Sequence, residues 1–187
     1  MPLETPPIPQ AKTRAWTLPT VLSLILGVLG ALTIIELRPQ LSVTPQEQLA
    51  TGQPFSAPFE ITNAGYLSLH IDNVIAVLHL AVIGRDTFEN ASSGNNDWDN
   101  FDLERGNGKT VLFYFYNGVP AKADMVIAID YEFLGKKWRS FSRFQGVHME
   151  KWQWSKQPMG DLKPELNKVV DEALRKHRQS NTPIPPN

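Results

Sequence analysis

The densest set of side chains able to do chemistry lies between Asn95 and Glu104, where Asp97, Asp99, Asp102 and Glu104 fall within eight residues. Carboxylates supply the hard oxygen ligands that calcium takes. The run opens as D-x-D, but Phe101 stands where a further ligand belongs and the loop glycine of an EF-hand is missing. The spacing therefore excludes an EF-hand and leaves an irregular calcium site, set against the simpler reading of a solvated acidic loop. Two of these carboxylates, such as Asp97 and Asp102, would perform acid–base catalysis only if one pocket pushed their pKa values apart. Trp98 and Phe101 stand among them. Exposed aromatics serve as anchors in protein contacts, and the alternative is that both rings tuck back onto the fold.

The histidines are His70, His79, His148 and His177. His70 and Asp72 form an H-x-D pair, and residues two apart on a strand share a face. They suit a metal site only with a further ligand nearby, so a turn held by polar side chains is the plainer expectation. His79 lies in the most apolar stretch and reads as a satisfied core histidine. No H-E-x-x-H, G-x-S-x-G or phosphate-binding glycine loop occurs. Cysteine is absent, which removes disulfides, thiol catalysis and thiolate-bound zinc. Enzyme chemistry is thus not expected.

Trp138, Trp152 and Trp154 are interleaved with Lys136, Lys137, Arg139, Arg143, Lys151 and Lys156. Such a mixture can bind sugars, anionic lipid or single strands. On a hairpin, alternation sends aromatics inward and charges outward, where they also guard exposed edges. The net charge of −1 gives no basic field for nucleic acid.

These residues need elements to position them. From Ala15 to Ile35 no residue is charged over 21 positions. About 20 helical residues span a hydrocarbon core, so residues 15–36 are expected to form a transmembrane helix, with Trp16 at headgroup level. The apolar run is too long for a cleaved signal peptide, and no A-x-A site follows it. Gly27 and Ala31 have the four-residue spacing of close helix packing. Lys12 and Arg14 precede the run and Arg38 follows it. That bias places the N-terminus in the cytoplasm and the C-terminal domain in the periplasm or outside the cell, with the anchor in the inner membrane. Residues 1–14 are proline-rich and are expected to be a disordered tail.

From Leu41 the apolar period becomes two. Leu41 and Val43 alternate with polar neighbours. Phe55, Ala57, Phe59 and Ile61 do the same within Pro54–Asn63, which Asn63-Ala64-Gly65 turns. Val74–Ile83 is apolar on both faces and reads as a central strand. Val111–Tyr116, Met125–Phe133, Trp138–Val147 and Gln153-Trp154 complete about seven strands, with 85–108 as one long connection. An all-β, immunoglobulin-like β-sandwich over residues 39–156 is expected. Residues 161–180 read as an amphipathic helix, with Leu162, Leu166, Val169, Val170, Ala173 and Leu174 on one face. Residues 181–187 are expected to be a disordered tail.

Phe59-Glu60-Ile61-Thr62-Asn63-Ala64-Gly65, followed by Ile71-Asp72-Asn73-Val74, resembles a pattern of bacterial cell-envelope sandwich domains. In these an F-x-I-x-N-x-G stretch ends one strand and a short "nV" segment opens the next. The whole chain resembles uncharacterised bacterial membrane-anchored proteins with a single immunoglobulin-like domain. The resemblance covers about 30 residues, implies the fold and carries over no catalytic residue.

The resulting expectation is a single-pass envelope protein whose sandwich binds or scaffolds other envelope proteins through Trp98, Phe101, Leu166, Val170 and Leu174. Membrane lipid is met through residues 15–36. The alternatives are a small-ligand or calcium-binding domain, an enzyme using loop carboxylates, and a structural subunit of a membrane complex.

Overall fold

The computed structural model describes residues 18–50, 54–92, 100–115, 120–148 and 152–180. The chain divides into two units, Met1–Leu37 and Arg38–Asn187. The expectations for the two tails, and for Asp97, Trp98 and Asp99, lie outside the described residues.

In the first unit, Leu18–Glu36 forms helix α1. Its described side chains, from Pro19 to Gly30, are all exposed despite being mostly apolar. Among the described residues, no helix is long and apolar enough to cross a membrane.

The second unit is built from two antiparallel sheets. The smaller has the order β1-β2-β6, with β1 Leu41–Pro45, β2 Phe59–Asn63 and β6 Gly108–Val111. The larger has the order β4-β3-β7-β8-β9. Its members are β3 Leu69–Ile83, β4 Asp86–Ser92, β7 Lys122–Phe133, β8 Lys136–His148 and β9 Trp152–Gln157. β5, Phe101–Leu103, pairs with the start of β3, on the side where β4 pairs with its end. The stretch expected to be one long connection thus contains two strands, β4 and β5. Conversely, Leu112 to Phe115 lie beyond the end of β6, although their largely aromatic types suggested a strand.

Val43, Phe59, Ile61 and Val111 of the small sheet pack on Leu69, Ile71, Val74, Ala76, Ile127 and Ile129 of the large one. A buried aliphatic side chain contributes roughly 1.5–3 kcal/mol by leaving water, so this shared core holds the sheets together. The second helix, α2 Lys163–Ser180, covers the opposite face of the large sheet. There Val170 and Ala173 meet Ile75, Val77 and Ala128, with Phe141, Val169 and Leu174 at the margin. This explains why the middle of β3 is apolar on both faces. The fold is a β-sandwich with a helical third layer.

β3 departs twice from strict alternation. Its register with β7 skips Asp72, between Ile71 and Asn73, and His79, between Leu78 and Leu80. Each β-bulge shifts the inward set by one position, from Leu69 and Ile71 to Val74, Ala76 and Leu78, and then to Ala81.

Candidate functional site

The bulges decide where the polar residues of β3 go. Asp72 and His70 do not combine. The Lys137 Nζ donates to Asp72 Oδ2 at 3.0 Å, whereas His70 turns to the opposite neighbour, β5. Its Nδ1 lies 2.7 Å from Asp102 Oδ1 and its Nε2 lies 3.1 Å from Asn100 Oδ1. An imidazole between two acceptor oxygens is best satisfied as the doubly protonated cation. These hydrogen bonds, chiefly that to Asp102, raise the His70 pKa above its ordinary value. His79 is not the core histidine expected. Its bulge leaves it half-buried at the surface, with Nδ1 at 3.4 Å from Asn90 Oδ1.

Of the proposed calcium ligands, Asp102 engages His70, and the Glu104 carboxylate accepts from Asn107 Nδ2 at 3.3 Å. Among the described residues, no three His, Asp or Glu side chains gather as a metal ion requires. Phe101 is half-buried against the core, with Lys109 Nζ 3.9 Å from its ring centroid. The C-terminal helix also differs from expectation as a contact surface. Leu166 and Val170 are fully buried and Leu174 packs beside them, because the apolar stripe has the large sheet as its partner.

The F-x-I-x-N-x-G stretch is a structural joint. Asn63 is completely buried at the end of β2. Its Nδ2 donates to Leu67 O at 2.8 Å and Leu103 O at 2.9 Å, and its Oδ1 accepts from Gly65 N at 3.0 Å. One amide thereby ties both sheets to the intervening turn.

A surface that sequence reading missed lies at the other end of β1. Pro45 to Gln48 and Trp152 to Trp154 line an open groove of about 360 Å³. Its first wall is fixed by Gln46 N donating to Pro58 O at 2.7 Å and Gln46 Nε2 donating to Glu60 Oε2 at 2.8 Å. Gln48 Oε1 accepts from Trp152 N at 3.1 Å, which bridges to β9. The second wall rests on aromatics packed edge to face: Trp152 and Trp154 centroids are 5.6 Å apart, and Phe59 lies 5.8 Å from Trp154. Amide side chains thus face indoles beside β9, an edge strand of the large sheet. Aromatic residues at β9 were legible, but their partner wall, about 100 residues earlier, carries no motif.

Trp152 and Trp154 point inward as the alternation predicts, whereas Trp138 is 52 % exposed. No family of known proteins, no curated protein and no solved structure matches the chain.

Proposed function

We propose that the protein is a single-pass, membrane-anchored envelope protein whose immunoglobulin-like domain binds an extended segment of another protein outside the cytoplasm. The groove at the β9 edge carries this reading. A sheet edge offers backbone hydrogen bonds to an added strand, and an aromatic wall beside it takes apolar side chains. Gln46 and Gln153, which line the groove, carry neutral amides suited to a backbone.

The anchor is supported by the uncharged run from Ala15 to Ile35, which extends beyond the described side chains of α1. A helix apolar all round requires either a protein core or a bilayer. Val21, Leu22, Leu24, Ile25, Leu26, Val28 and Leu29 are all at least 41 % exposed.

The test is site-specific photo-crosslinking of the full chain in native membranes. A crosslinking side chain at Gln153 should capture a reproducible protein partner, and one at Arg85, in the β3–β4 turn, should not. Capture at neither position, from a chain that fractionates with membranes, removes the groove reading.

A further inference from the structure

We propose that the end of the β domain at which the chain enters is seated on phospholipid headgroups. Tyr66, Leu67, Leu134 and Trp138 would lie at headgroup depth, with Arg105 and Lys136 beside them. The inference rests on the reading of residues 15–36 as a membrane anchor.

Three separate segments converge at this end. The turn after β2 lies on the chain entry, since a Cβ added to Gly65 would stand 3.2 Å from Gln40 N and 3.5 Å from Arg38 O. Leu69 pairs with Leu103, and His70 with Glu132, so the start of β3 lies beside β5 and the end of β7. The β7–β8 hairpin closes there, with Tyr131 opposite Trp138 and Phe133 opposite Lys136.

The exposed side chains are of the kind that favour a membrane interface. Tyr66 is 52 % exposed, Leu67 37 %, Leu134 76 % and Trp138 52 %. Aromatic rings with a polar edge prefer headgroup level, and long cations reach phosphate from there. The Arg105 guanidinium lies 4.6 Å from the Tyr66 ring centroid, which places a cation beside an aromatic face. Two acidic groups of this end are already engaged, Asp72 by Lys137 and Asp102 by His70.

Leu134 is the sharpest observation. It forms with Gly135 a two-residue hairpin turn in which φ is +50° and +72°. Positive φ at both positions is the type I′ geometry, which favours Asn-Gly. Leucine is disfavoured there by its backbone and again by its exposure. A large apolar side chain at so unfavourable a hairpin tip suits burial in the membrane interface.

The linker supplies the geometry. Only Leu37 to Gln40 separate α1 from β1. Even fully extended, this stretch reaches only about 17 Å. A domain entered through so short a link cannot stand far from the bilayer that holds its helix.

Because the chain has no cysteine, single spin labels report this directly. Full-length Tyr66→Cys, Leu134→Cys and Arg85→Cys variants are labelled and reconstituted into phosphatidylcholine–phosphatidylglycerol vesicles. The labels at 66 and 134 should be several-fold less accessible to a water-soluble nickel chelate than the label at 85. Leu134→Asn, which suits the turn, should fold at least as well yet raise the accessibility of the label at 66. A chain that floats with the vesicles but shows equal accessibility at all three positions overturns the seating and leaves the anchor standing. A chain that does not float overturns both. Oxidative crosslinking of Leu134→Cys to a second copy overturns the seating in favour of a protein contact.

Discussion

Arg139 of β8 and Asp171 of α2 meet at 2.8 Å, and the same guanidinium holds Asp130 of β7 through Nε and Nη2. One side chain therefore joins two strands and the helical layer. Asp130, directly opposite in the ladder, is the larger cause of the raised Arg139 pKa, and Asp171 adds to it. The cation is fixed at every accessible pH.

Replacing Arg139 by alanine should loosen α2 selectively. It leaves Asp130, whose side chain is only 18 % exposed, without its bidentate partner. Partial exposure reduces the cost of breaking a buried pair, to about 1–3 kcal/mol. Asp171→Asn removes only an exposed partner and should cost less than about 1 kcal/mol. Hydrogen exchange distinguishes the expected pattern: faster exchange in α2 and next to Asp130, with the rest of the domain little changed. Uniform acceleration throughout the domain would show that the helix is not a separable layer.

Asn63 should prove among the least replaceable polar residues. Asn63→Ala removes hydrogen bonds to Leu67 O, Leu103 O and Gly65 N, with an expected loss of about 2–4 kcal/mol. Asn63→Asp keeps the shape but turns a donor into a second acceptor facing two carbonyls. Its buried carboxyl would have a folded-state pKa raised above the unfolded value. That variant should therefore be least stable at neutral pH and recover as pH falls through the raised folded pKa towards the unfolded one. Urea titrations of both variants at neutral and acidic pH check this; a pH-independent difference between them would count against a charged carboxylate at this position.

Much of this architecture was readable because it follows from side-chain period. Met125, Ile127 and Ile129 alternate without interruption, and β7 runs straight through them. The stripe Leu166–Val170–Ala173 likewise announced α2 as an element needing a partner, although only the packed fold shows that this partner is Ile75, Val77 and Ala128. Alternation failed where a bulge adds a residue. Counting in twos put Asp72 on the face of His70, the apolar stretch around His79 put that ring in the core, and both residues are the extra ones in the β3–β7 register. The groove was illegible for another reason. Gln46, Gln48 and Gln153 are of ordinary types and acquire meaning only when Gln48 reaches Trp152 across the sandwich edge.

Gly146 is required by a neighbour and not by its own backbone. A Cβ at this position would lie 2.5 Å from Trp152 Nε1 and 2.6 Å from Cζ2. The indole is 4 % exposed and packed against Trp154, so it cannot swing aside freely. Gly146→Ala should cost about 1–3 kcal/mol through overpacking. It should also displace the groove wall, which a red shift in tryptophan emission and weaker partner capture at Gln153 would reveal. Unchanged emission and stability would mean that the wall is softer than its packing implies.

His70 makes the domain's stability depend on pH in a definite direction. Its folded pKa is raised, chiefly by the hydrogen bond to Asp102 and then by that to Asn100. The facing charges are Asp102 on β5, Asp72 on β3 itself, Glu132 opposite on β7, and Lys137 on β8, which is paired with Asp72. A raised histidine contributes stability that is fully present below its unfolded pKa and is lost as pH rises through the folded pKa. The contribution is small, because the imidazole is solvent-exposed and screened. Asp102→Asn should return the His70 pKa towards its ordinary value, measured from the imidazole proton shifts, and should flatten the pH dependence of exchange at the β3–β5 pair, Leu69 to Ile71 with Phe101 to Leu103. A histidine that titrates identically with and without the Asp102 carboxylate would show that the contact is absent in solution.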